Sequence, residues 1–246
     1  MALWRTIGLP SRGTVARCSL QISSSRSLSA AAKQEPVYEL RTYTVYPDKM
    51  REYLTITAEE FHLRTAHSKP LGFWTAEVGG LNQVVHIWEY ESLAHRSTIR
   101  ANLAGDSEWM SKYVSRVAGM WQQQDNSLMT LLPGTSLALP SGTGVYEIQT
   151  VDLRGAGWSG ALRNYVRACR EDEGVRAVEG TALVGAWKGV LGPANTVVLL
   201  WRHRWPDSCV ALRGVLEALA EDSSLTPHVR SGHSKLILPH AVSPLQ

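Results

Sequence analysis

No uncharged apolar run in this chain approaches the ~20 residues that a membrane-spanning helix needs. The longest, Thr196-Val-Val-Leu-Leu-Trp201, stops at Arg202-His-Arg204, a length that suits a buried strand. Cysteine is scarce as well: Cys18, Cys169 and Cys209 are too few and too scattered for a disulfide framework or a metal cluster. Acidic residues are missing from the start of the chain, where the first carboxylate is Glu35. Arg5, Arg12, Arg17 and Arg26 all fall in that stretch, so the formal charge of +3 has an uneven source. Without them 25 − 4 = 21 basic residues face 22 acidic ones. A near-neutral body has no electrostatic footprint for nucleic acid, and none is expected as a partner.

What the N-terminal segment does contain is Arg, Ser and an apolar face made by Leu3, Trp4, Ile7 and Leu9. That is the composition of a mitochondrial transit peptide, whereas a secretory signal needs a continuous apolar core that Arg5, Arg12 and Arg17 interrupt. Residues 1–32 are therefore expected to be a targeting segment, cut between Arg26 and Ala32, and the protein to be mitochondrial. The alternative is an uncut basic tail on a cytosolic protein.

The remainder repeats itself. Val37-Tyr-Glu-Leu40 returns as Val145-Tyr-Glu-Ile148 at an offset of 108. Gly72-Phe-Trp74 and Val85-His-Ile-Trp88 return as Gly185-Ala-Trp187 and Val198-Leu-Leu-Trp201 at 113. Leu103-Ala-Gly-Asp-Ser107 returns as Leu219-Ala-Glu-Asp-Ser223 at 116. Four matches in one order with slowly drifting offsets indicate duplication. The spacing predicts repeats over 36–133 and 144–240 joined by a Pro/Gly-rich linker over 134–143.

Within the first repeat, alternation predicts a strand over Val37–Tyr46, and the Gly- and Pro-free stretch from Lys49 to His67 a helix. Phe73–Val78 and Val84–Tyr90 flank Gly79-Gly80-Leu-Asn82, a hairpin signature. Helical stretches over Ser92–Leu103 and Asp106–Gln122 and a short strand over Ser127–Leu132 follow. The second repeat predicts strands over 144–152, 177–187, 196–203 and 234–238, with helices over 159–171 and 207–220. The order βαββαβ is ferredoxin-like. One such sheet covers a single face with its helices. Two sheets placed face to face cover each other, so the expected fold is α+β: tandem ferredoxin-like units forming an intrachain dimeric α/β barrel. Exposed edge strands would leave room for a homo-oligomer.

Phe61-His-Leu-Arg-Thr-Ala-His67, Leu71-Gly-Phe-Trp74, Glu77-Val-Gly-Gly80-Leu-Asn82, Val85-His-Ile-Trp-Glu-Tyr90 and Ala94-His-Arg96 together resemble the NipSnap family. Ser243-Pro-Leu-Gln246 is similar to that family's tail, and the whole most resembles its third subgroup. The resemblance implies the tandem dimeric barrel and mitochondrial association. In some relatives it implies display on damaged mitochondria and recruitment of autophagy machinery, so other proteins, autophagy adaptors among them, are the expected partners. An older link to vesicle traffic attaches to the name, and no established enzymatic activity does. The His-Leu-Arg-Thr-Ala-His block has no counterpart in the second repeat.

Three residue patterns carry chemistry on paper. Glu59-x-x-His62 has di-metal spacing, but the second pair such a site needs is missing, and His62 and His67 diverge by about 140° on a helix. No metal is expected there; Arg64 and His67 suit the last carbonyls of the helix instead. Gly155-Ala-Gly-Trp-Ser-Gly160 is a formal G-x-G-x-x-G, yet the next strand would run antiparallel, so a flexible turn is the better reading than a dinucleotide site. Finally His62, Arg64 and His67 with Trp74, His86 and Trp88 are the candidate lining of a pocket between helix and sheet. The leading expectation is a non-enzymatic interaction protein with no cofactor. A haem- or small-molecule-binding oxygenase-like enzyme and a cytosolic trafficking factor are the alternatives.

Overall fold

The computed structural model describes residues 35–246, and the expected targeting segment over 1–32 lies outside the described residues. The first repeat runs β1 (Val37–Val45), α1 (Met50–Thr65), β2 (Lys69–Val78), β3 (Gln83–Tyr90), α2 (Leu93–Gly105), a π-helical turn (Trp109–Val114), α3 (Ser115–Val117) and β4 (Trp121–Leu131). The second runs β5 (Val145–Leu153), α4 (Trp158–Glu171), α5 (Glu173–Ala177), β6 (Ala182–Leu191), β7 (Thr196–His203), α6 (Asp207–Asp222) and β8 (Val229–Pro239). Among the described residues no helix is long and apolar enough to cross a membrane.

The eight strands close on themselves in the order β1-β3-β2-β8-β5-β7-β6-β4, and β4 returns to β1. All pairings are antiparallel. Each repeat thus contributes the ferredoxin-like order 4-1-3-2, and the two sheets are sewn together by β2–β8 and β4–β6. Among the described residues closure leaves no free strand edge, which corrects the expectation of exposed edges.

Strand alternation sends one set of side chains inward. Tyr38, Trp74, Ile87, Met129, Tyr146, Trp187, Leu200 and Ile237 fill the barrel interior from both repeats. The repeated Gly-x-Trp has a steric reason. A Cβ at Gly72 would overlap the ring of Trp74, and one at Gly185 the ring of Trp187, so each indole folds back over its own glycine. The opposite set faces the helices and builds three further clusters, one under α1 and the π-helical turn, a small one under α2 and one under α4 and α6.

Both ends of the barrel are plugged in the same way. Leu245 of the C-terminal tail packs into the interior cluster, with Ser243 Oγ accepting from the Phe73 N–H at 3.0 Å. Leu137, 108 residues earlier, packs against the same cluster, and the Ala138 N–H donates to Val184 O at 2.8 Å. The inter-repeat segment is therefore the first repeat's equivalent of the tail as well as a connection.

Several boundaries differ from expectation. β4 begins at Trp121, six residues early, because barrel pairing recruits the polar run Gln122-Gln-Gln-Asp-Asn126 that has little strand propensity of its own. Residues 173–177 form α5, a helix Asp172 caps through the Val175 N–H, so the strand expected from residue 177 starts only at Ala182. The stretch after Asp106 is helical through Met120 as expected, but its middle, Trp109–Val114, widens into a π-helical turn.

Candidate functional site

A cavity of about 250 Å³ lies between the first repeat's sheet and its helices. β1 supplies Arg41 and Tyr43, and β3 supplies His86 and Trp88. Arg41 and His86 are cross-strand partners in the β1–β3 ladder, although 45 residues separate them in sequence. α1 adds Tyr53, Phe61 and Arg64, and α2 adds Arg100 and Leu103. The π-helical turn brings in Trp109 and Tyr113, stacked with centroids 4.5 Å apart. Asp106 Oδ1 starts that turn by accepting from the Glu108 and Trp109 N–H groups at 2.9 and 3.1 Å. Trp121 and Gln124 of β4 complete the wall. Among the described residues three arginines line it and no carboxylate does.

The hydrogen bonds fix the chemistry of the wall. Trp88 Nε1–H donates to His86 Nδ1 at 2.5 Å. An indole nitrogen can only donate, so Nδ1 carries the lone pair and the neutral ring keeps its proton on Nε2. Burial, with the Arg41 and Arg64 cations adding to it, pushes His86 well below the ordinary histidine range, so the ring is neutral at pH 7. His86 Nε2 has no partner, and neither do Arg41 Nε nor Trp121 Nε1. All three are N–H donors. The wall therefore has donors to spare and positive charge, a combination that fits an acceptor-rich, anionic guest.

Behind the cavity sits a buried carboxylate. Glu39 Oε1 accepts from Arg96 Nη2 at 2.6 Å and Asn126 Nδ2 at 2.7 Å, and Oε2 from Arg96 Nε and Tyr90 Oη at 3.1 Å each. Burial alone would raise this carboxyl, but those bonds and the Arg41 charge outweigh it and hold it down at about 2. Arg64 bonds the Tyr90 hydroxyl at 2.9 Å and lies over the Trp88 ring, its Cζ 4.0 Å from the centroid. That placement corrects the expectation that Arg64 caps the end of its own helix.

Of the six residues expected to line a pocket, Arg64, His86 and Trp88 do. His62 is exposed and its Nδ1 lies 3.2 Å from Glu59 O. His67 Nε2 pairs with Asp106 Oδ2 at 3.1 Å, where it ties α1 to the end of α2. Trp74 lies in the barrel interior, on the other side of the sheet. Glu59 pairs with Arg116, not with His62 through a shared metal. The Gly155–Gly160 stretch is a turn with positive φ at Gly155 and Gly157 that runs into the first residues of α4, and among the described residues no parallel strand follows it. Arg41, Tyr43, Arg100 and Trp121 are lining residues that periodicity did not point to.

The second repeat keeps the architecture and replaces most of the polar wall with aliphatic side chains, with Gln149, Arg213 and Glu217 among its polar members. Its cavity, about 410 Å³, lies under α4 and α6. Gln149, Val151, Leu199, Val229 and Gly232 stand where the first repeat has Arg41, Tyr43, His86, Trp121 and Gln124. The buried carboxylate persists as Glu147, with Arg213 of α6 in the role of Arg96. Burial would raise it, but the adjacent His203 ring, Arg213 and Gln149 hold it at about 2.

An eight-stranded antiparallel barrel of two ferredoxin-like repeats with ligand-sized spaces under its helices is a dimeric α/β barrel protein in a single chain. Solved structures share that architecture. A proposed monooxygenase from Lactobacillus acidophilus superposes with a TM-score of 0.60 at 12% identity, over 84% of this chain and 95% of its own. One from Fusobacterium nucleatum gives 0.61 at 11% identity, over 84% and 93%. The NIPSNAP family model matches residues 38–135. Human NipSnap homolog 3A is 34% identical over 220 residues, 85% of each chain, and mouse NipSnap homolog 3B is 33% identical over 220 residues, again 85% of each. The chain belongs to the NipSnap family, in the subgroup of homologs 3A and 3B.

Proposed function

We propose that this NipSnap protein works by binding rather than by catalysis: a mitochondrial interaction protein of quality control or autophagy signalling whose first repeat takes up a small anionic ligand. The observation that carries the ligand is the surplus of donors in the wall, where Arg41 Nε, His86 Nε2 and Trp121 Nε1 lack acceptors and, among the described residues, no carboxylate competes. The guest is an organic acid or phosphate with a compact aromatic or apolar body, matched to Phe61, Trp88 and Trp109. At about 250 Å³ the space falls just below the ~300–1,000 Å³ usual for drug-sized ligands, and a haem does not fit without parting the helices. The His86 tautomer supports a binding role, since a ring protonated on Nε2 and occupied on Nδ1 has no lone pair to offer as a general base. The exposed Trp205 and Val210 beside the start of α6 suit contact with a protein partner.

The experiment is a thermal-shift panel of small aromatic carboxylates and phosphates, each paired with its neutral amide or alcohol. Carboxylates are expected to raise Tm and amides not to. Arg41→Met is expected to abolish the shift, a loss of tenfold or more in affinity for one charge-assisted contact. Equal binding of acids and amides would sink the anionic-ligand reading. Fractionation with N-terminal sequencing tests the compartment: a shortened, protease-protected form supports mitochondrial import, and a full-length cytosolic form supports the trafficking reading. The oxygenase-like reading rests on the barrel architecture, and oxygen uptake or a haem Soret band in the purified protein would favour it.

A further inference from the structure

The second repeat holds a cluster with no counterpart in the first. Glu147 of β5 and His203 of β7 are fully buried near the start of α6, where Cys209 is half-buried. Their ligating atoms all lie within 4.8 Å of one another. His203 Nε2 stands 3.5 Å from Glu147 Oε2, and neither atom has a hydrogen-bond partner. With Nε2 protonated these two atoms pair with each other; with Nε2 bare they face each other as two acceptors, an arrangement that a shared cation satisfies.

The first repeat shows how the position is otherwise closed. There Tyr90 occupies the ladder position of His203, and its hydroxyl donates to Glu39 Oε2 at 3.1 Å. The shift from Tyr to His withdraws that donor and presents a ring nitrogen instead. The start of α6 adds a thiol, where α2 opens Leu93-Ala-His95.

We propose that Glu147, His203 and Cys209 form a binding site for a borderline-soft divalent cation of the zinc class, with solvent or a ligand in the fourth position. Tetrahedral bonds of ~2.0–2.3 Å hold their donor atoms roughly 3.3–3.6 Å apart, close to the separation of the imidazole and carboxylate as they stand. The far atoms are already anchored, as metal ligands require. Thr181 Oγ1 lies 3.1 Å from His203 Nδ1, which places the lone pair on Nε2 once Nδ1–H donates to that hydroxyl. Gln149 Nε2 donates to Glu147 Oε1 at 3.1 Å, and Arg213 bonds the same oxygen. Oε2 is left for the ion. Arg213 is a nearby cation and lowers the affinity, but the glutamate and thiolate together offset the two charges of the metal. Cys209, on the half-exposed side, supplies the entry path. The site is in the other repeat from the anion cavity and does not depend on it.

The test is titration of the chelator-treated full chain with Co2+, a spectroscopic stand-in for Zn2+. The expected result is one ion per chain with a thiolate-to-cobalt charge-transfer band and intense tetrahedral ligand-field bands, all displaced by Zn2+. Cys209→Ser is expected to erase the charge-transfer band, while Cys18→Ser and Cys169→Ser leave it. His203→Tyr installs the residue that the first repeat uses, so that variant is expected to fold, to melt at or above wild type and to bind at least tenfold more weakly. A folded wild type that shows no thiolate band, or a band that survives Cys209→Ser, overturns the site. So does a His203→Tyr chain that melts cooperatively and binds as tightly as wild type.

Discussion

At the scale of single residues, the buried carboxylate Glu39 concentrates the electrostatics of the first repeat. Its folded pKa of about 2 lies below the ordinary 4.5, so it stabilises the fold above the unfolded value. That contribution is lost as pH falls from about 4.5 through about 2. Converted at ~1.4 kcal/mol per pH unit, the contribution is about 3 kcal/mol. Glu39→Gln is expected to lower urea stability at pH 7 by about that amount, and the gap from wild type to close as the pH approaches 2; a gap independent of pH would contradict the assignment. The glycines under the tryptophans make a steric prediction. Gly72→Ala forces the Trp74 indole out of the barrel core, at a cost of about 1–3 kcal/mol by chemical denaturation, and Gly185→Ala acts alike on Trp187. Part of this was legible in the chain, because Val-Tyr-Glu and Gly-x-Trp recur at fixed offsets. The cavity wall was less so. His86, Arg64 and Trp88 drew notice by residue type, but Arg41 and Trp121 reach the cavity through ladder register, which no local pattern encodes.

At the scale of elements, strands whose own side chains alternate were readable, and those defined by their neighbours were not. β1, β3, β5 and β7 alternate or run apolar and fall close to expectation. The first half of β4 is polar and exposed, a strand only because β1 pairs with it. The π-helical turn escaped notice because its signal is one widened turn set by Asp106, invisible to a period of 3.6 residues. The tail plugs allow a graded prediction. Leu245 is buried in the barrel mouth and its counterpart Leu137 only half so. Leu245→Ala is expected to cost about 2–3 kcal/mol and Leu137→Ala distinctly less, read from urea midpoints. Removal of residues 243–246 also strips the Phe73 N–H of its acceptor, so hydrogen exchange there is expected to accelerate. Equal costs at the two leucines would contradict burial as the quantity that sets them.

At the scale of the whole molecule, duplication foretold the barrel, since a single ferredoxin-like sheet has a bare face and a second copy covers it. The loss of every free strand edge was the part not anticipated. It depends on β8 reaching β2 and β4 reaching β6 with matched register, a long-range outcome of strand lengths that were read too short. The interior cluster draws on both repeats, so the described residues are expected to unfold in one cooperative transition. The first repeat expressed alone is expected to be a dimer or to aggregate, because its half of that cluster would face water; light scattering that finds a stable folded monomer would refute the shared core.

The unlike cavities have a consequence for inheritance. In a homodimer one gene specifies both halves, so any substitution arrives twice and the two sites stay identical. Joining the halves in one polypeptide lifts that constraint. A mutation now touches one half while its sister continues to hold the barrel shut. One lineage of side chains was free to gather arginine, histidine and indole, and the other to turn aliphatic around a histidine–thiol corner. A symmetric scaffold became, through one covalent join, a place where two chemistries can be selected apart.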